Sequence, residues 1–174
     1  IMDWRTFLKK NYNKISQDTP YEILFVKKVL SQIPDLDFKN VEAQTLFHDS
    51  QGVKRKIDFT IKESDNVKLA LEVDGWDKKG RGSGMTRSEF IDWNQREMEM
   101  SSSGWKVLRF PNTLVDRQPK YCARHIELAL KNERSKAHGS PLASQIKAEL
   151  NQLESTRIKE LEGLKKELEK AYHD

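Results

Sequence analysis

The amino-acid sequence predicts an α+β fold, in which a small mixed sheet is flanked by helices and a long helix follows. Two observations support it. Along residues 3–132, helix-type periodicity and strand-type alternation follow one another in the order helix, helix, three strands, helix, strand, helix. From about residue 140, leucines recur among Glu and Lys at helical spacing, with no strand or turn signal. We therefore expect a domain at 1–136 and an amphipathic helix at 137–174.

Composition excludes several classes of protein but does not identify the function. Of the 174 residues, 36% are hydrophobic and 33% charged, and the net charge of +4 permits an anionic partner without requiring one. The single cysteine, Cys122, excludes an internal disulfide framework and indicates a reducing compartment. Four histidines with one cysteine show no zinc spacing, and no apolar run is long enough to span a membrane. We therefore expect a cytoplasmic, nucleoid-associated protein with no membrane partner.

Start and stop signals place the N-terminal helices. Residues 3–12 fit a short amphipathic helix. Thr19 is suited to cap a second helix, Pro20 to its first position and Glu22 to a capping box. This helix is expected to end before Pro34.

Strand signals and turn residues divide the middle of the chain. Thr86 and Glu89 form a second capping box, which opens a helix to about Ser102, and Gly104 stops it. A further helix is expected at 119–132. The predicted strands are Val41–Phe47, Lys56–Ile61, Val67–Val73 and Trp105–Phe110.

Two of these strands carry carboxylates on one face. If the second and third strands form an antiparallel hairpin centred on Asp65, then 57 faces 73, 59 faces 71 and 61 faces 69, apolar against apolar. The same register sets Asp58 opposite Glu72, with Asp74 two residues further along that face. A slip of one residue would expose the apolar set, so the register is well specified.

Facing carboxylates repel one another unless a cation compensates them. A hard divalent ion such as Mg²⁺ or Mn²⁺ is one solution, because it prefers oxygen ligands and takes one or two carboxylates together with water and phosphate. The alternative is that both carboxylates face solvent and are balanced by neighbours such as Lys68. The hairpin leaves both interpretations open.

The order and spacing of several short motifs resemble the PD-(D/E)xK nuclease superfamily, in particular its Vsr-like, restriction-endonuclease-like branch. The similarity runs from about Thr19 to Leu130. It includes Thr-Pro-Tyr-Glu at 19–22, Gln44, Lys-Ile-Asp-Phe at 56–59, Leu-Glu-Val-Asp-Gly at 71–75, and Arg96 eight residues before Gly-Trp-Lys-Val-Leu-Arg-Phe at 104–110. The resemblance implies a core of the order α-β-β-β-α-β.

The resemblance also implies the roles of the carboxylates. Asp58 and Glu72 would be metal ligands, and the backbone carbonyl of Val73 a third. Glu22 would be an accessory acid near the metal, or alternatively only a capping residue. Asp74 stands where many members carry the motif lysine, although this branch often has Asp there.

The group that replaces the lysine would hold the attacking water or stabilise the transition state. Lys78 is the first candidate, because related domains tend to have a histidine at that position. Arg96 and Gln95, on the helix expected beside the site, are the second candidates.

Basic residues bracket the proposed site and could neutralise phosphates. Arg109, in the fourth strand, is expected either to contact phosphate or to pair with a site carboxylate. The other expected nucleic-acid contacts are Lys54, Arg55, Lys56, Lys79 and Arg81. Each of these could instead be ordinary solvated surface.

These observations together predict a Mg²⁺- or Mn²⁺-dependent endodeoxyribonuclease with DNA as its partner. The alternative is a nuclease fold that has lost activity and serves as a DNA-binding or assembly module. In the tail, Leu150 to Leu161 and Leu153 to Leu164 are eleven residues apart, which fits a long helix with a stutter. This helix is expected to pair in coiled-coil fashion, for example as a homodimer through residues 140–172, or to lie back on the domain.

Overall fold

The computed structural model describes residues 1–15, 20–75, 82–138 and 141–173, with the side chains of 141–144 left out. The chain is an α+β protein that divides into two units, Ile1–Arg134 and Ser135–Asp174. The first contains a four-stranded sheet. The elements in chain order are α1 (Trp4–Ile15), α2 (Tyr21–Leu24), β1 (Val41–His48), β2 (Lys54–Ser64), β3 (Val67–Asp74), α3 (Arg87–Ser102), β4 (Lys106–Pro111), α4 (Asn112–Arg117), α5 (Pro119–His138) and α6 (Pro141–His173).

The sheet has the strand order β1-β2-β3-β4, with β4 parallel to β3 and the other neighbours antiparallel. The predicted hairpin register is confirmed where the ladder is regular: Phe59 pairs with Leu71 and Ile61 with Leu69. A bulge near the turn shifts the last pair to Ser64 and Val67. The apolar pattern therefore determined the pairing, as expected for strands with buried faces.

Helices cover both faces of the sheet. Phe25, which directly follows α2, has its ring centroid 5.3 Å from those of Phe59 and Phe110. On the opposite face, Met100 of α3 forms a buried cluster with Ala70 and Ile57. Since side chains alternate along a strand, Ala70 and Leu71 point to opposite faces, and α3 lies against the even-numbered residues of β3.

The predicted pairing of 57 with 73 is not part of the ladder, which ends at Phe59 and Leu71. Gln44 of β1, opposite Asp58, adopts a left-handed φ of 52°, which interrupts the regular alternation. Beyond this point Ile57 clusters with Ala70 instead of sharing the face of Phe59. The strict alternation expected for 57, 59 and 61 is therefore wrong at its first residue, because the β2–β3 ladder ends at Phe59 and the β1–β2 ladder is irregular at the level of Gln44.

The helical elements differ from the predicted bounds in several places. The segment after Pro20 continues beyond α2 as a π-helical turn at Phe25–Val29 and a 3₁₀ turn at Leu30–Gln32, where one continuous helix was expected. The short helix α4 was not predicted, and α5 runs six residues beyond 132, past the expected domain boundary between 136 and 137. Thr19 lies outside the described residues.

The signals around α3 were more informative. Thr86 Oγ1 accepts the backbone N–H of Glu89 at 3.2 Å, as the capping box predicts, and Gly104 has a φ of 90° just beyond the helix. α6 begins at Pro141. In the described part of the chain, no helix is long and apolar enough to cross a membrane.

Candidate active site

The candidate active site lies between β3 and α3. Glu72 and Asp74 follow Ala70 on the face of β3 that α3 covers. Going back along α3, Met100 meets Ala70, Arg96 meets Glu72 and Trp93 meets Asp74. Steps of four and three residues on a helix keep one face and rise about 6.0 and 4.5 Å, compared with about 6.6 Å for two strand residues. Successive residues on one face of β3 therefore each contact a residue on one face of α3.

Asp58 and Glu72 come together where β2 and β3 stop pairing. The carboxylate of Asp58 accepts the backbone N–H of Val73 at 2.8 Å, and Glu72 Oε2 lies 3.4 Å from the backbone nitrogen of Asp58. Asp58 is half-buried, and Glu72 is only 1% exposed. The predicted face-to-face arrangement is thus observed, but side chains take the place of the ladder hydrogen bonds.

The carboxyl of Glu72 is electrostatically strained in this position. Burial, followed by the negative charge of Asp58, raises the pKa of Glu72 from 4.5 to about 9, while the guanidinium of Arg96 acts in the opposite direction. Asp74 adds a smaller contribution of the same sign as Asp58. A group with such a pKa binds a proton at neutral pH unless a further cation approaches it.

Arg96 supplies positive charge from α3. One of its terminal nitrogens, Nη2, donates to Glu72 Oε1 at 2.6 Å and to the carbonyl of Lys56 at 2.7 Å. Its buried Nε has no hydrogen-bond partner among the described residues. Gln95, the neighbouring candidate, is exposed and lines a shallow depression with Arg87 and Ile91. The structure therefore brings Arg96, and not Gln95, onto the carboxylates.

Asp74 is held by a cluster of cationic and aromatic side chains. Its Oδ2 accepts hydrogen bonds from Arg109 Nη1 at 2.8 Å and from the indole N–H of Trp93 at 3.2 Å. Arg109 also donates to Glu97 at 2.8 Å, and its guanidinium carbon lies 4.0 Å from the centroid of the Trp93 ring. Of the two alternatives expected for Arg109, this structure shows the carboxylate pair.

Glu22 forms a hydrogen bond with Gln44, the residue of β1 that has a left-handed φ. Gln44 Nε2 donates to Glu22 Oε1 at 2.7 Å, and Gln44 lies at the level of Asp58, between the pairs Ala43–Phe59 and Thr45–Ile57. Strained backbone at non-glycine residues is concentrated at functional sites in proteins. The side chain of Glu22 thus has a contact beyond the capping role that was its alternative.

The basic residues near β2 differ in how far their charge is compensated. Arg55 is half-buried and forms ion pairs of 2.8 Å with Asp49 and Asp92. Lys54 and Lys56 are exposed. The predicted Lys78, Lys79 and Arg81 lie outside the described residues.

A hard divalent cation fits these residues with limited protein ligation. Within the described ranges, no three or more His, Cys, Asp or Glu side chains are grouped so as to hold a metal ion by themselves. Asp58 and Glu72 offer two carboxylates, and Mg²⁺ commonly takes one or two, completing its shell with water and phosphate. Burial and the neighbouring Asp58 keep the pKa of Glu72 raised to about 9 even with Arg96 beside it.

Comparison of the chain with protein-family models, with curated proteins and with solved structures gave no match. The nuclease resemblance therefore stays a prediction.

Sequence reasoning missed Trp93 and Glu97, both of which contact the Asp74 cluster. Their spacing on α3 could have predicted that they lie beside Arg96. Residues 93, 96, 97 and 100 are separated by steps of three or four, so they share one helix face. The left-handed backbone at Gln44 had no such signal.

Proposed function

We propose that this chain is a divalent-metal-dependent endonuclease that hydrolyses DNA phosphodiester bonds. The observation that supports the proposal most is the juxtaposition of Asp58 and Glu72 at the point where β2 and β3 separate. A buried carboxylate against a second one is costly as a purely structural feature. It is useful where a cation and a phosphate are to be bound together.

In this proposal Asp58, Glu72 and the carbonyl of Val73 hold the cation. When bound, the ion supplies polarisation of a phosphoryl oxygen and a lowered pKa for a coordinated water. The backbone N–H of Val73 and the backbone nitrogen of Asp58 hold the carboxylates in place. Arg96 lies against Glu72, where its guanidinium can stabilise negative charge that develops on the phosphate.

Two other groups have supporting roles in the proposal. The Arg109–Trp93 cluster fixes the side chain of Asp74 at the edge of the site. The exposed Lys54 and Lys56, at the start of the strand that carries Asp58, are suited to neutralise DNA phosphates. Lys78, Lys79 and Arg81 remain candidates for the same surface and for water activation.

The proposal is tested by plasmid nicking with Mg²⁺ or Mn²⁺, together with calorimetric titration of Mn²⁺ in the absence of DNA. We expect Asp58→Asn to reduce nicking by at least about 100-fold and to remove the heat of Mn²⁺ binding. The matched control is Glu42→Gln, which removes an exposed carboxylate from the neighbouring strand and should change neither. Nicking that survives Asp58→Asn or a chelator would rule out this site.

One observation favours a second candidate, a catalytically inactive nuclease fold that binds DNA or assembles complexes. Arg96 already places a positive charge 2.6 Å from Glu72, which partly satisfies the pair without an ion. This candidate predicts a DNA mobility shift that a chelator does not change, with no nicking under any metal. The same two assays therefore distinguish the candidates.

A further inference from the structure

The long helix α6 carries one exposed apolar stripe. We call it the α6 seam: Ile146, Leu150, Leu153, Leu161, Leu164 and Leu168, each between 48% and 68% exposed. Contiguous apolar surface of this kind marks an interaction site on soluble proteins. A helix also draws most of its stability from packing such a face. We therefore expect the α6 seam to pack against a partner surface.

The spacing of the seam restricts what that partner can be. With Arg157 included, the steps along the stripe are four, three, four, four, three and four residues, which is an eleven-residue repeat. A repeat of eleven gives about 3.67 residues per turn, and hence a slightly right-handed supercoil in place of the usual left-handed one. A partner helix must follow the same path to remain in contact. A second copy of α6 follows that path because it has the same spacing of apolar residues.

The charges along α6 also suit a second copy. Residues 145–173 contain six basic and six acidic side chains, so this part of the helix carries no net charge at neutral pH. Two copies therefore approach without net repulsion. A strongly acidic or basic helix would instead have selected a partner of opposite charge.

We propose that two copies of this chain associate through the α6 seam, with the two Arg157 residues at the same level. The steps along the seam are the same in both directions from Arg157, so this register places a Leu or Ile against a Leu or Ile at all the remaining levels of the seam. A shift by one level would set each Arg157 against a leucine of the partner. A single polar residue in an apolar seam specifies register in this way. The inference does not depend on the proposed nuclease activity.

The first test measures the mass of the full chain in solution by light scattering across a dilution series. We expect twice the chain mass of 20.3 kDa. The double variant Leu153→Glu, Leu161→Glu should weaken association at least about 1000-fold and give a monomer, because four buried leucines are lost per dimer. The matched control, Gln152→Glu with Ser155→Glu, adds the same charges on the opposite face and should remain dimeric. A monomeric wild type, or a dimeric seam variant, overturns the proposal.

The second test examines the register. Arg157→Cys should form an intermolecular disulfide under mild oxidation, because position 157 meets its own copy whichever way the helices run. Ser155→Cys, on the far face, is the control and should not. The native Cys122 is 1% exposed and does not interfere. Absence of cross-linking at 157, or equal cross-linking at 155, overturns the register.

Discussion

Replacing Glu72 by Gln removes the ionisable carboxyl group from the site while retaining the size of the side chain and an acceptor oxygen. In the wild-type protein the pKa of Glu72 is raised from 4.5 to about 9 by burial and by Asp58. Because the folded-state pKa lies above the unfolded one, the folded protein binds an extra proton between these values. The free energy of unfolding therefore falls as pH rises from about 4.5 to about 9.

The fall in the free energy of unfolding can be estimated from the interval between the two pKa values of Glu72. Each pH unit between the two pKa values is worth about 1.4 kcal/mol, so the whole interval amounts to at most about 6 kcal/mol. For a protein of this length, 1 kcal/mol moves the melting temperature by about 2–4 °C. We expect a fall of at least about 5 °C between about pH 5 and pH 8.5 in metal-free buffer, and a much smaller fall for Glu72→Gln.

The assay is thermal unfolding followed by circular dichroism in a chelator-containing buffer at several pH values. At about pH 5 the two proteins should have similar stability, since Glu72 is then protonated and uncharged; at about pH 8.5 the variant should be the more stable. Glu42→Gln, an exposed carboxylate in β1, controls for the general effect of removing a charge. Parallel pH profiles for wild type and Glu72→Gln would refute the reasoning.

Two further substitutions test the groups around the site by urea unfolding. Gln44→Val should be about 1–3 kcal/mol less stable than Gln44→Gly, because both remove the amide but only glycine accepts a φ of 52° without strain; equal stability would argue against backbone strain. Arg109→Lys keeps the charge but loses the fork that bonds Asp74 and Glu97, so we expect a loss of about 1–3 kcal/mol. In contrast, Arg134→Lys at an exposed ion pair should cost less than about 1 kcal/mol, and a similar loss for both would contradict the assignment.

The elements that the sequence predicted well are those with a local signal. The capping box at Thr86 and Glu89 opened α3 at the expected residue, and Gly104 marked its end. Alternation along β2 and β3 determined the pairing of Phe59 with Leu71 and of Ile61 with Leu69. Such signals act through neighbours in the chain or along one strand pair, so a linear pattern contains them.

Other elements lacked that kind of signal. The π-helical turn at Phe25–Val29 falls within a segment whose apolar spacing fits an ordinary helix equally well. The short helix α4 has no capping side chain at Pro111. Where several backbone forms satisfy the same local pattern, packing against the sheet selects among them, as the contacts of Phe25 with Phe59 and Phe110 indicate.

The sequence by itself determined the α+β class and the hairpin register, because strand alternation decides which side chains share a face. Extending that register also predicted the meeting of Asp58 with Glu72, which side-chain hydrogen bonds hold just beyond the end of the ladder. Tertiary structure decided the rest of the site. The approach of Arg96 to Glu72 and of Trp93 and Arg109 to Asp74 depends on how α3 and β4 dock against β3. Those contacts join residues far apart in the chain, and their geometry is specified by packing across the sheet rather than by any local pattern.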